Sequence, residues 1–264
     1  MCANGVDASG PNRAARDLLL RKPSDSVIAI QGPPGTGKTF TGAHMIIGLV
    51  REGKKIGITA TSHKVIRNLL DQILKTAPDI RCGQKVGEKS EDVPGIRMMT
   101  GNDEPLAALQ SGIEVVGGTP WLWAREDYFE AVDVLFVDEA GQMSLANVLA
   151  VAQAAEKIVL LGDPQQLEQP LRGSHPPGAS ASALEHLLDG AKAIQADRGR
   201  FLDKTWRMHP SLCSFTSEAF YEGRLESHPD MRNQRISGHP WLGENGLWYI
   251  PYHMKEIRIR RRRK

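Results

Sequence analysis

The sequence predicts an α/β fold, a parallel sheet with helices on both faces. Three observations carry this. Short apolar runs that fit strands alternate with segments whose apolar residues recur at helical spacing, up to roughly residue 200. The first of these runs leads into a glycine-rich loop that opens a helix, and a later one ends in two adjacent carboxylates. The chain has 264 residues, enough for one large domain or two ordinary ones.

In order, "RAARDLLL" (13–20) reads as a short helix and "SVIAI" (26–30) as a buried strand. The loop follows, then a helix with Phe40, Ala43, Ile47 and Val50 on one face, ended by Gly53. "KIGITA" (55–60) is a second strand. Ser62 is placed to cap the next helix, whose apolar face is Val65, Ile66, Leu69, Leu70, Ile73 and Leu74. Residues 75–112, rich in Pro, Gly and charge, are expected to hold one short strand and loops. "EVVGG" (114–118), "VDVLFV" (132–137) and "KIVLLG" (157–162) are further strands, with a helix through "SLANVLAVAQAAEK" between the last two. "PLRGSHPPGAS" (170–180) is a turn-rich loop. Beyond residue 200 aromatics, His-Pro pairs and short elements replace the alternation, which predicts a boundary between domains at 1–200 and 201–264.

Composition is that of a soluble globular protein, 41% hydrophobic and 24% charged. The net charge of +2 belongs to the tail "RIRRRRK" (258–264), whose Arg258, Arg260, Arg261, Arg262, Arg263 and Lys264 exceed it; residues 1–257 are acidic on balance. Overall charge therefore gives no argument for nucleic-acid binding. Cys2, Cys82 and Cys213 form no CxxC pair, which predicts a reducing cytoplasm. The N-terminal stretch does not fit a signal peptide, and no apolar run approaches the ~18–20 residues of a membrane span.

"GPPGTGKT", Gly32, Pro33, Pro34, Gly35, Thr36, Gly37, Lys38 and Thr39, fits G-x-x-x-x-G-K-[ST] between a strand and a helix. This is a phosphate loop. Glycines let backbone N–H groups approach phosphate oxygens, and the helix N-terminus adds a positive dipole. Lys38 is expected on the β- and γ-phosphates and the Thr39 hydroxyl on Mg²⁺. "VLFVDEAGQ" (134–142) brings Asp138 and Glu139 to the carboxyl edge of the sheet, where ligands of open α/β sheets bind. Asp138 suits the metal and Glu139 the attacking water. ATP and Mg²⁺ are thus the expected cofactors.

Taken in order, "GPPGTGKT", "DEAGQ", "GDPQQL" (162–167) and "WRMHP" (206–210) resemble the motifs of superfamily 1 helicases. The resemblance covers roughly residues 12 to 225. It points to the branch containing the nonsense-mediated-decay RNA helicase and its DNA-processing relatives. "LDKTWRMHPSLCSFTSEAFYEGRLES" is similar to bacterial members whose helicase core follows a RecB-like nuclease domain. The resemblance implies a RecA-like P-loop NTPase domain plus the start of a second one. It makes Gln166 the sensor of the γ-phosphate, Gln142 the last residue of the DEAxQ motif and Arg207 an arginine reaching the γ-phosphate. His209 and Pro210 shape the backbone. Thr61 and Ser62, in "TATSHKVIRNLL", and Thr119, in "VVGGTP", match segments that contact the nucleic-acid backbone. Ser62 can cap its helix as well. Trp121 and Trp123 fit either base stacking or core packing.

The chain departs from the family pattern in two ways. Asn12 stands near the place of a glutamine that reads adenine. The family's later motifs, with a second arginine finger, do not follow Ser227, so a fragment of a longer helicase is expected. The basic tail is open between a phosphate-binding arm and an artefact of truncation or reading frame. By resemblance the partner is single-stranded nucleic acid, DNA ahead of RNA, with 5′ to 3′ translocation and no membrane. Two functions stay open: an ATP-dependent helicase, and an ATP-binding module without helicase activity.

Overall fold

The computed structural model describes residues 26–88, 93–166 and 181–234. The helix expected over 13–20, Asn12, the loop at 170–180 and the basic tail lie outside the described residues. Strands β1 (Ser26–Gln31), β2 (Ile56–Thr59), β3 (Cys82–Lys85), β4 (Ile96–Met99), β5 (Val115–Gly117), β6 (Val132–Val137), β7 (Ala155–Gly162) and β8 (Gly199–Phe201) form one sheet. Their order is β4-β3-β5-β2-β6-β7-β1-β8. Every neighbouring pair is parallel, so all eight carboxyl ends meet one edge.

Both faces of the sheet are covered, which is why its central strands read as continuous apolar runs. Ile28, Ile30, Ile56, Ile58, Phe136 and Leu161 share one core with helices α1 (Lys38–Arg51) and α2 (His63–Thr76). Ala29, Val116, Leu135, Val137 and Leu160 point the other way. They share a second core with α3 (Glu104–Gln110), α4 (Pro120–Trp123), α5 (Leu145–Ala152) and α6 (Ala183–Leu188). In α2 the expected stripe is buried at Ile66, Leu69, Leu70 and Ile73, and Ser62 Oγ accepts the Val65 N–H at 3.3 Å. In α1, Ala43, Ile47 and Val50 are buried as expected, whereas Phe40 is exposed and its ring meets that of His44 at a tilt, 4.0 Å between centroids. Gly53 follows α1 at φ +81°.

Two expectations are corrected. Residues 75–112 hold two strands and a helix, β3, β4 and α3. β4 is the edge strand and β3 the next one in, and the two carry polar Gln84, Lys85 and Arg97. Buried Gln84 within β3 is satisfied by the Arg67 Nε–H at 2.9 Å and by donating to His63 O at 3.1 Å. The helix expected through "SLANVLAVAQAAEK" stops at Ala152, and Ala155 already pairs with Val132 in the sheet. Alanine, glutamate and lysine favour a helix there, but the ladder with β6 overrides local preference.

β8 closes the edge beside β1, and the pattern change near residue 200 falls within it. After it, β9 (Lys204–Thr205) and β10 (Glu226–Ser227) make a small parallel pair, with α7 (Pro210–Phe220) between them. Cys213, Tyr221 and Leu225 form a third, minor cluster, with Phe201 and Met208 against it.

Candidate functional site

The loop after β1 has the geometry of a phosphate cradle. Gly35 and Gly37 sit at φ +80° and +84°, where a side chain is strained. A Cβ on Gly32 would lie 2.4 Å from Lys38 Cγ. The Thr36 hydroxyl donates to Pro33 O at 2.8 Å and Lys38 Nζ to Gly32 O at 2.8 Å, which ties the loop together. Gly37 caps α1 without a side chain, so no side-chain acceptor competes for the N–H groups of the first turn. Thr39 is half-buried in that turn.

β6 delivers Asp138 and Glu139 beside this loop. Asp138 is buried and its Oδ1 accepts the Glu139 N–H at 2.9 Å. Burial pushes its carboxyl up to about 6; the Glu139 N–H works against that shift, the Glu139 charge adds to it and the Lys38 ammonium opposes it. Glu139 is half-buried at φ +53°, a left-handed conformation that a non-glycine residue holds only under constraint. The constraint is backbone packing. Ala140 N–H donates to Leu161 O at 2.8 Å, and a Cβ on Gly141 would lie 2.5 Å from Asp163 O. Gln142 is half-buried and its N–H donates to Glu139 O at 2.8 Å.

β7 ends in Asp163, which is buried. Its Oδ1 accepts the Gln165 N–H at 3.2 Å, and its Oδ2 accepts from Gln166 Nε2 at 3.4 Å and from the Tyr221 hydroxyl at 2.7 Å. Burial, and then the Asp163 carboxylate, hold the Tyr221 hydroxyl protonated far above the usual tyrosine range. Sequence reasoning missed Asp163 and Tyr221. The acidic residue in "GDPQQL" is a signal for the first, while nothing local marks its partner 58 positions away.

Residues 205–207 dock on the phosphate loop. The Thr205 hydroxyl donates to Pro34 O at 2.8 Å and the Trp206 N–H to Gly35 O at 2.9 Å. A Cβ on Gly35 would lie 2.4 Å from Arg207 Cβ, so this glycine gives the segment its seat. The Arg207 side chain is exposed. His209 caps α7, its Nδ1 accepting the Ser211 N–H at 3.2 Å, and Pro210 is the first helical residue.

Thr61 and Ser62 follow β2, and Thr119 follows β5. These strands are neighbours, and the Gly118 N–H donates to Ile58 O at 2.9 Å. The two tryptophans after Thr119 part ways: Trp123 is fully buried and Trp121 is 87% exposed. The carboxyl edge thus runs from β5 and β2, with hydroxyls, to β6, β7 and β1, with carboxylates and the phosphate loop.

Among the described residues no cluster of three or more His, Cys, Asp or Glu could hold a metal. Thr39 and Asp138 still fit Mg²⁺, which commonly takes one or two protein oxygens and completes its shell with phosphates and water. Among the described residues no helix is long and apolar enough to cross a membrane.

A protein family described as an AAA domain matches residues 12–187, and a second family of the same description matches residues 179–263. The DNA-binding protein SMUBP-2 of Rattus norvegicus is 27% identical over 288 residues, which cover 85% of this chain and 28% of that protein. The DNA replication ATP-dependent helicase/nuclease DNA2 of Homo sapiens is 27% identical, over 83% of this chain and 21% of its own length. The regulator of nonsense transcripts 1 homolog of Drosophila melanogaster is 27% identical, over 80% and 21%. The chain therefore spans about a quarter of these relatives. Among solved structures, the arterivirus nonstructural protein 10 helicase in complex with DNA aligns with a TM-score of 0.51 at 17% identity. That alignment covers 77% of this chain and 41% of the viral one, and it establishes a shared fold.

Proposed function

The chain belongs to the AAA domain family, and on that footing we propose that it is the ATP-hydrolysing motor core of a superfamily 1 helicase working on single-stranded nucleic acid, DNA foremost. The observation that carries this reading is the contiguity of the sheet edge. Residues suited to a nucleotide end β1, β6 and β7, residues suited to a strand backbone end β2 and β5, and the Asp138 N–H donates directly to Thr59 O at 2.8 Å. A movement at Asp138 or Glu139 is one hydrogen bond away from the segment carrying Thr61 and Ser62.

In this reading Gly32, Pro33, Pro34, Gly35, Thr36 and Gly37 wrap the phosphates, and Lys38 binds the β- and γ-oxygens. Thr39 and Asp138 are the residues that would hold Mg²⁺, which when bound neutralises phosphate charge. Glu139 orients the attacking water and accepts its proton. Gln166, held through Asp163, senses the γ-phosphate, and Arg207 offsets charge that builds on the transferred group. By resemblance the adenine-reading place falls near Asn12, which lies outside the described residues. The names of the relatives, two of them a helicase/nuclease and a regulator of transcripts, support motor chemistry on nucleic acid; 5′ to 3′ direction rests on resemblance alone. Free, buried Cys82 and Cys213 support a reducing, cytoplasmic setting.

Glu139→Gln tests the reading against a module that only binds ATP. Calorimetric affinity for Mg-ATP is retained, and turnover falls by about 10²–10⁴-fold, the usual cost of losing such a base. Turnover at the unaltered rate would place the base elsewhere, and a wild-type chain with no turnover to lose would favour the module.

A further inference from the structure

We propose that Trp121 is a stacking platform for one unpaired base of the strand held at the ends of β2 and β5. The inference deepens the proposed function and rests on it.

Exposure raises the question. Trp121 is 87% exposed and Trp123 is 0% exposed, although both belong to the same turn of helix. An indole is among the largest apolar surfaces a protein carries, and one standing almost wholly in water is conspicuous next to a core that accepts its neighbour.

The turn that presents it is rigid. Trp123 Nε1 donates to Ile58 O at 3.1 Å and to Gly118 O at 3.2 Å. Its ring fills the space over Gly57, where a Cβ would sit 2.9 Å from it, and meets Tyr128 edge-on at 5.6 Å. Tyr128 is anchored in turn by its hydroxyl, which donates to Asn102 O at 2.7 Å. The Leu122 N–H to Thr119 O bond at 2.9 Å and the Ala124 N–H to Pro120 O bond at 3.0 Å close the turn, and Pro120 fixes its first φ. The backbone under Trp121 is therefore set before any ligand arrives, and stacking has only the indole left to order.

Placement supplies the ligand. Trp121 lies two residues beyond Thr119 at the end of β5. The neighbouring strand β2 leads into Thr61, Ser62, and exposed His63 and Lys64 at the start of α2. Hydroxyls and an ammonium suit phosphates, and an exposed indole suits the flat face of a base. Together they make the alternation of backbone and base contacts that grips a single strand irrespective of sequence.

The test is fluorescence anisotropy of labelled oligo(dT) and oligo(rU) with the whole chain, at several salt concentrations. Trp121→Ala should weaken binding by about 5- to 150-fold on both strands, and Trp121→Phe by much less. The slope of log Kd against log salt should stay the same, since no charge is removed. On a fully abasic strand Trp121→Ala and the wild type should bind alike. Thermal melting of Trp121→Ala should match the wild type, because the side chain is exposed. Unchanged oligo(dT) affinity would overturn the platform, as would an equal loss on the abasic strand. A wild-type chain that binds no strand at all would overturn the proposed function and this site with it.

Discussion

Tyr221→Phe removes a single hydroxyl that joins two distant parts of the chain. Tyr221 is 3% exposed and Asp163 is 1% exposed, and the bond between them is 2.7 Å. Phenylalanine keeps the ring and its tilted contact with Phe201 at 5.8 Å, so the change isolates the hydrogen bond. A bond to a charged, buried acceptor contributes about 1.5–3 kcal/mol, and the carboxylate left behind keeps only Gln166 and the Gln165 N–H. At about 2–4 °C per kcal/mol for a chain of this size, melting should fall by roughly 3–12 °C. Far-UV circular dichroism on heating measures it. Turnover should fall as well, with ATP affinity nearly unchanged, because Asp163 also holds Gln166. The two effects separate in a cycle with Gln166→Ala, in whose background Tyr221→Phe should no longer lower turnover. A melting point within a degree of the wild type would refute the stability argument, and additive losses of turnover would refute the link through Gln166.

Lys38→Ala should abolish Mg-ATP binding by calorimetry or nearly so; unchanged affinity would remove the loop from the site. Gly35→Ala places a methyl 2.4 Å from Arg207 Cβ at φ +80°, so it should destabilise the fold and dislodge residues 205–207 from the loop. Lower melting with faster proteolysis in that segment is the expected sign, and wild-type melting would contradict it. Cys82, whose thiol burial pushes up to about 12, should react with an aromatic disulfide reagent only after unfolding, and buried Cys213, raised by burial too, should behave alike. Prompt labelling of either at neutral pH would contradict that burial.

What the sequence disclosed depended on how local the determinants were. β1, β6 and β7 carry apolar runs in their buried stretches, and the loop and carboxylates follow them within a few residues, so these strands and the order of the residues at their ends were readable directly. Edge strand β4 and its neighbour β3 carry Gln84, Lys85 and Arg97, and such strands are defined by their neighbours more than by their own pattern. The end of α5 was misplaced for a similar reason: Ala155, Glu156 and Lys157 favour a helix locally and pair in β7 through contacts with β6 and β1. Trp121 and Trp123 are alike in sequence, and contacts with distant residues, Ile58 O, Gly57 and Tyr128, hold the second in the core. The Asp163–Tyr221 bond spans two separate elements and has no periodic signature.

In the proposed function one sheet edge couples a nucleotide to a single strand. ATP turnover measured while oligo(dT) is titrated into the chain, with Mg²⁺ in excess and Glu139→Gln as the inactive reference, tests it most directly. The expected rate rises and saturates with the strand, and rises less when Trp121 is replaced by alanine. A rate that stays flat while anisotropy shows the strand bound would contradict the coupling.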